Sequence, residues 1–357
     1  MAMTGRCDHM RENRIRRLHA AAVAAVAAVL SAALVACGGQ AAPSGQPADT
    51  DARQSEAVGS VDVKVASLKG PTSIGLASFM DKAASDPGSL ANAYDFTVAG
   101  SADEVVPSLI QGDVDIALVP ANVASVLYNK TAGGVVALDV NTLGVLSVVT
   151  ADSGVVDFSA LSGRTVYMTG KGATPEYVMN YLLERNGLAG QVTLEFKSEA
   201  TEVVQAISQD LDAVAVLPQP YVTVACAKNP SLKATIDLND VWDTASADGS
   251  RLVTGVTVAR REFLEEHPDA VREFVERQSA SVDAANADPE GTAPLVVNAG
   301  IVDSEQIAAK AIPGCHLVCL TGDDLRGALS GYLKTLFDAD ASSVGGSLPG
   351  DDFYYAG

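Results

Sequence analysis

Apolar positions along the chain fall into short strand-like runs separated by stretches with three- and four-residue spacing, the pattern of buried strands alternating with amphipathic helices. A first pass reads as a strand at 61–68, a helix at 73–84, a strand near 95–99, a helix at 102–111, a strand at 116–119 and a short helix from Asn122. A second pass reads as a strand at 165–168, a helix after Pro175, a strand at 192–196, a helix at 199–208, a strand at 214–217 and a helix after Gln219. The order βαβαβ in each pass predicts an α/β protein with two mainly parallel sheets flanked by helices.

The two passes are copies. Residues 102–130 return without a gap as 200–228, shifted by 98 positions, and nine of the 29 positions are identical. Glu104/Glu202, Val105/Val203, Val106/Val204, Gln111/Gln209, Ala117/Ala215 and Pro120/Pro218 keep the apolar helix face, the strand and the breaker in register. Upstream, Lys69-Gly70-Pro71-Thr72 is answered by Lys171-Gly172-Ala173-Thr174. So long a repeat lies outside the roughly 20–50-residue range of stacked arrays and predicts two similar lobes with a cleft between them.

Two β-rich segments join the passes, 141–150 going out and 251–260 coming back, each carrying a glycine, Gly144 and Gly255. They read as hinge strands. Lobe 1 is then built from 61–146 plus 256–357 and lobe 2 from 147–255. The tail adds helices at 262–286, broken at His267-Pro268, and at 323–337. Closure about a few linker residues is the usual mechanical use of such a layout.

The beginning of the chain is of a different kind. Residues 1–17 hold five arginines against Asp8 and Glu12, and 18–36 are an uncharged Ala/Val-rich run, together the charged and apolar regions of a secretion signal. Met10 serves equally well as the start. The run ends in Leu34-Val35-Ala36-Cys37-Gly38, similar to a bacterial lipobox, so 1–36 is expected to be a lipoprotein signal and Cys37 the lipidated first residue of the mature chain. A retained membrane span is the competing reading. Residues 37–60 are small, polar and Pro-containing and read as a flexible tether.

Removing five arginines and two acids takes the formal charge from −20 to −23. An acidic surface without a basic stripe repels nucleic acid and anionic lipid head groups, so no nucleic-acid role is assigned. Beyond Cys37 the mature chain has Cys226, Cys315 and Cys319, an odd number that makes no disulfide framework. Cys315 and Cys319 share a strand-like run and would stand about 13 Å apart, too far for a bridge. With no second ligand cluster, Cys315, His316 and Cys319 read as core strand and not as a metal site. No cofactor is implied.

In parallel α/β units, ligands bind beyond the carboxyl ends of the strands, where helix N-termini offer free N–H groups. After the first strand come Lys69-Gly70-Pro71-Thr72-Ser73, and after its copy Gly170-Lys171-Gly172-Ala173-Thr174-Pro175, with Thr174 as the expected N-cap and Pro175 as the first helical residue. Pro120-Ala121-Asn122 and Pro218-Gln219-Pro220 follow the third strands. Each motif alone is an ordinary cap or turn. Their duplication, lysine included, argues for a site, with Lys69 and Lys171 as compact charges suited to an anion.

Leu68 to Thr72, Asp115-Ile116-Ala117, Val119 to Asn122, Thr142 to Leu146, Thr169 to Tyr177, Leu217 to Pro220 and the tail from Val344 to Tyr354 are the passages that carry a resemblance. The chain resembles the substrate-binding lipoproteins of ABC importers in the nitrate/sulfonate/taurine-type family, which also includes binders of thiamine-precursor pyrimidines. That resemblance implies a two-lobed, periplasmic-binding-protein-like (Venus flytrap) fold, an extracytoplasmic location with a lipid anchor, and monomeric capture of a small organic or anionic solute for a permease and ATPase. By the resemblance, contacts come from Pro71, Thr72, Ser73, Asn122, Gly172, Ala173, Thr174 and Gln219. The cleft shows few of the basic side chains that sulfonate or nitrate binders concentrate there. Aromatic platforms for a heterocycle are also few, Tyr128, Tyr177, Tyr221 and the single Trp242, the last expected at the cleft edge.

Catalysis finds no support in the residues. The mature chain has two histidines, His267 and His316, neither in the repeated loops, and no G-x-S-x-G, HExxH or complete P-loop. A lipoprotein that senses a ligand and signals to a membrane partner would present the same cleft.

Overall fold

The computed structural model describes residues 59–210, 212–246 and 250–357. The expected signal at 1–36, Cys37 and the tether as far as residue 58 lie outside them. The chain opens with β1 (Asp62–Leu68), α1 (Pro71–Ile74), α2 (Ala77–Ser85), β2 (Ala93–Ala99), α3 (Ala102–Gln111), β3 (Ile116–Pro120), α4 (Ala121–Lys130) and β4 (Val135–Leu143). There it crosses to β5 (Leu146–Thr150), β6 (Thr165–Met168), α5 (Thr174–Arg185), β7 (Thr193–Phe196), α6 (Ala200–Gln209), β8 (Val214–Pro218), α7 (Tyr221–Lys228), β9 (Lys233–Asp237) and α8 (Leu238–Ala245). It returns through β10 (Val253–Arg260), α9 (Arg261–Glu266), α10 (Pro268–Ala287), α11 (Pro289–Asn298), α12 (Glu305–Ala311), β11 (Leu317–Leu320) and α13 (Gly322–Ala339).

Two sheets result, ordered β11-β4-β10-β3-β1-β2 and β7-β6-β8-β5-β9. The parallel units expected from the sequence are present as β2-β1-β3 and β7-β6-β8. Most strands of each sheet run in one direction, and the sheets as wholes are mixed because the crossing strands enter antiparallel: β10 beside β3 and β5 beside β8. The duplication extends to the register. Ile116 and Ala117 lie opposite Val65 and Ala66, while Val214 and Ala215, 98 positions on, lie opposite Val166 and Tyr167.

Local chemistry explains the boundaries. α3 buries Val105 and Leu109 and stops at Gly112, whose φ of 82° is the left-handed conformation glycine adopts without strain. Its copy α6 opens on a capping box, Glu199 and Glu202 each accepting from the other's backbone N–H. The helix expected at 73–84 is split between α1 and α2. At the break Leu76 N–H turns back to Ser73 O, and Gly75 lies so close to α10 that a Cβ there would sit 3.2 Å from Val282. The expected strand carrying both Cys315 and Cys319 is also interrupted. Cys315 ends a short 3-10 turn, His316 takes φ 46°, and only Cys319 is in β11. All three described cysteines are free thiols.

The core has parts belonging to one sheet and a part shared by both. Val63, Val65, Leu118, Phe79, Val271 and Phe274 pack between the six-stranded sheet and helices α2 and α10. Val149, Val203, Ile207, Leu217 and Leu232 do the same for the five-stranded sheet. The shared part joins Ala117, Val119 and Val140 of one sheet with Val148, Val166 and Val216 of the other, through Leu325, Leu329, Tyr332, Leu333 and Leu336 of α13. The last long helix is thus common to both lobes.

One buried group titrates against its surroundings. Asp139, on β4, is fully buried, and its Oδ1 accepts from Thr257 Oγ1 at 2.9 Å and Gln278 Nε2 at 3.1 Å. Burial pushes its carboxyl up to about 7 from the ordinary 3.8, against the pull of those two hydrogen bonds. With the folded pKa above the unfolded one, the folded protein binds the extra proton between them. Stability from this site is therefore full below about pH 4 and is lost as pH rises through about 7. Asp139→Asn, which keeps the shape and cannot ionise, is expected to raise Tm at pH 8 relative to the parent and by less at pH 5. Equal Tm differences at the two pH values, read by calorimetry, would show that the carboxyl does not titrate.

Candidate functional site

The strand-end loops of the two copies meet. From α4 of the first lobe, Asn122 Nδ2 reaches Gly172 O of the second at 3.5 Å, and Asn122 Oδ1 accepts from Thr174 Oγ1 at 3.2 Å. The same Nδ2 donates to Ser343 O at 3.2 Å, in the 3-10 turn Ala341–Val344 that comes after α13. Asn122 is 1% exposed and Thr174 fully buried, so the bridge lies inside the protein. A second contact lies nearby, where the side chain of Gln219 comes 3.2 Å from the position a Cβ would take on Gly314. Gln219 Oε1 meanwhile accepts from Thr223, and Gln219 N–H donates to Val145 O in the crossing segment.

The first loop is held by its own hydroxyls. Thr72 Oγ1 donates to Leu68 O at 2.9 Å, and Ser73 Oγ lies 2.7 Å from the same oxygen and 2.6 Å from Ser67 Oγ. Gly70 bends the chain with φ 145°, a conformation reserved for glycine, so that Pro71, Thr72 and Ser73 turn inward and are buried. Lys69 and Lys171 stand at the two strand ends with exposed side chains, as does Gly172, and Ala173 is half-buried.

The two Lys-Gly-x-Thr turns occupy equivalent ends at different steps. Val65, opposite Ile116, precedes Lys69 by four residues, whereas Val166, opposite Val214, precedes Lys171 by five. The second turn is one residue longer and Gly170 takes φ 84°. Thr174 is accordingly not the N-cap expected of it. Ala173 caps α5, Thr174 is the first helical residue, and its hydroxyl is free to reach across to Asn122.

Trp242 is not at the cleft edge. It is fully buried, its indole N–H donates to Ser250 O at 2.9 Å, and its ring lies 4.9 Å from Tyr181 and 5.4 Å from Tyr332. A ring so enclosed anchors α13 to α5 and α8 and offers no face to a solute. Tyr177 is nearer the loops. Burial, then Asp340 and Glu176, raise its pKa, and the neighbouring Ser342 opposes them.

The chain crossing supplies residues that sequence reasoning missed. Gly144 O accepts from His316 Nδ1, beside the six-stranded sheet, and from Asn239 Nδ2 of α8 at 3.1 Å, so side chains of both lobes hold one carbonyl. A Cβ on Gly144 would sit 1.9 Å from Asn239 Oδ1 and 2.3 Å from Leu252. On Gly255 it would sit 2.3 Å from Asn141 Oδ1 and 2.9 Å from the Thr72 methyl. Both positions demand glycine because of what crowds against them. No local motif marks His316, Asn239, Tyr332 or Ser343. Val344, next to Ser343, opens the tail passage that carried the family resemblance.

Residues 101–292 match the family described as NMT1/THI5 like. Among solved structures, the chain is similar to an ABC transporter from Parabacteroides distasonis, with 26% identity, 82% of this chain and 98% of that one covered, and a TM-score of 0.69. It is also similar to the periplasmic aliphatic sulphonate binding protein SsuA from Escherichia coli, at 13% identity, 79% and 88% coverage and a TM-score of 0.63. The alkanesulfonate-binding protein SsuA from Xanthomonas axonopodis pv. citri, bound to MOPS, gives 12%, 81% and 94%, and 0.60. At such identities the last two show the fold alone. No curated protein matches the chain.

The crowding at Gly255 has a measurable consequence. Gly255→Ala is expected to cost about 1–3 kcal/mol, the range for overpacking. Gly327→Ala, in α13 where a Cβ meets nothing within 4 Å, should be neutral or stabilise by about 0.4–1 kcal/mol. Urea denaturation of the two variants side by side checks the contrast, and equal stabilities would contradict the close approach.

Proposed function

The chain belongs to the NMT1/THI5-like family, and from that premise we propose that it is an extracytoplasmic solute-binding protein of an ABC importer. The observation that carries the reading is the bridge from Asn122 to Gly172 and Thr174, which brings the duplicated strand-end loops face to face. The P. distasonis structure, which is called an ABC transporter and is covered over 98% of its length, supports it. Among the described residues no helix is long and apolar enough to cross a membrane. The reading assigns attachment to the lipid expected on Cys37, with residues 1–36 removed as signal, on the run Leu34-Val35-Ala36-Cys37-Gly38.

The solute enters between a lobe of 61–146 plus 256–357 and a lobe of 147–255. Pro71, Thr72, Ser73 and Asn122 face it from one side and Gly172, Ala173, Thr174 and Gln219 from the other, with Lys69 and Lys171 at the rim. Closing turns on the segments around Gly144 and Gly255, the close-packed points of the crossing. The closed monomer docks on a permease, and reopening releases the solute. This chain performs no hydrolysis, which belongs to the ATPase partner. Trp242 is left out of the contact set because it is enclosed by Tyr181 and Tyr332.

Ligand-induced melting shifts of the full-length protein in detergent, against sulfonates, nitrate, bicarbonate, pyrimidines and other vitamin-like solutes, test the reading. A solute that raises Tm is expected, and the shift should vanish when Asn122→Ala, Thr174→Ala and Gln219→Ala are combined. A shift of the parent's size in that triple variant would remove the site from these loops.

A further inference from the structure

Two hydroxyls at the junction of the lobes have no hydrogen-bond partner among the described residues. Tyr332, on α13, is fully buried and its phenol is unpaired, and Ser343, 1% exposed, has an unpaired Oγ. Both adjoin the Asn122 bridge. Ser343 O accepts from Asn122 Nδ2, and Tyr332 lies beside the Thr174 hydroxyl, whose influence on the phenol opposes that of burial without closing a bond. A buried hydroxyl without a partner has given up water for nothing in return, and such groups in a folded protein call for an explanation. The bridge itself is stretched. Its O–H···O contact to Thr174, 3.2 Å, exceeds the usual 2.5–3.0 Å, and its N–H···O contact to Gly172 O, 3.5 Å, exceeds the usual 2.7–3.2 Å.

We propose that Tyr332 and Ser343 are solute contacts, and that with Asn122 and Thr174 they form a polar subsite for an uncharged group that both donates and accepts hydrogen bonds, such as an amide or lactam. The proposal rests on the solute-binding reading of the cleft. The four side chains supply three hydroxyls and a carboxamide, each able to donate and to accept, and no lysine, arginine or histidine. A sulfonate or nitrate seated there would be buried without a counter-charge. Lys69 and Lys171 do not supply one, since both side chains are exposed at the strand ends. A neutral donor–acceptor group entering as the lobes part separates Asn122 from Thr174, takes over both stretched bonds and satisfies the two orphan hydroxyls. Tyr332 is held at this place by Trp242 of the second lobe, whose own ring packs on Tyr181.

The test is calorimetric titration of the full-length protein in detergent with uracil, nicotinamide and 2-pyrrolidone as neutral probes and methanesulfonate, taurine and nitrate as charged ones. Binding of a neutral probe is expected, weakened about 5-fold or more by Tyr332→Phe and by Ser343→Ala, the scale of one hydrogen bond. Neither change should lower the Tm of the ligand-free protein, because each removes a hydroxyl that has no partner there. Lys69→Ala with Lys171→Ala should leave affinity within about 2-fold. Binding of charged probes alone, affinity unmoved by Tyr332→Phe and Ser343→Ala, or a lower ligand-free Tm in those variants would each overturn the proposal. If none of the six probes nor any solute of the wider melting screen binds the parent, the solute-binding reading itself fails, a result distinct from the other three.

Discussion

Each sheet of this protein is completed by a strand that arrives from the other lobe, and the remaining architecture depends on how tightly those arrivals are packed. β5 enters antiparallel beside β8, and β10 enters antiparallel beside β3, so equivalent members of the duplicated unit receive equivalent neighbours. The crossing has no room to spare. At Gly144 the carbonyl is gripped by His316 and Asn239 while Leu252 and Asn239 occupy the place of a side chain. At Gly255, Asn141 and Thr72 occupy the place of a side chain. A covalent crossing with so little free volume holds the carboxyl ends of two sheets next to each other, which is where unpaired N–H groups and inward-turned hydroxyls can serve a solute.

A second coupling was not implied by two copies and a hinge. α13 lies in a core shared by both lobes, with Tyr332 against Trp242 and Leu329 and Leu333 in the same apolar cluster as Val178 and Leu182. The chain then turns through Ala341–Val344, where Ser343 O and Val344 O receive Asn122, Ser125 and Asn129 of α4. Arg261 with Asp352 and Arg326 with Asp351 fasten the C-terminal tail to the first lobe. These surface pairs contribute little each, and the apolar contacts of α13, Phe353 and Val344 dominate. Any parting of the lobes must therefore slide or open this shared seam as well as bend the crossing. A seam with two unpaired hydroxyls is its weakest polar part.

The repeat was legible because the same local structure, built twice, needs the same pattern of apolar and breaker positions twice. Val105, Leu109, Ile116 and Ala117 and their partners 98 positions later occupy matching places in α3/α6 and β3/β8. Several boundaries written in local chemistry also agree with the structure: the helix at 102–111, the strand at 165–168 and the break at His267-Pro268. Asn122 and Thr174 stood out for the same reason, as polar residues at the strand ends of a duplicated unit. Trp242 did not follow. Its surroundings are Tyr181 and Tyr332, 61 residues before it and 90 after it, and no local pattern carries that information.

By itself the sequence determined the element order of the two βαβαβ passes, their duplication and the strand-end loops that meet, since all three depend on short-range periodicity and on caps and breakers within a few residues. Only the tertiary structure decided that the sheets are mixed, that the second Lys-Gly-x-Thr turn is a residue longer, and that Ser343 stands at the junction beside Asn122 and Tyr332 beside Thr174. Those outcomes depend on which strand lands beside which and on side chains more than a hundred residues apart meeting in one core. Such contacts are chosen by packing the whole chain at once, and no local run of residues records them.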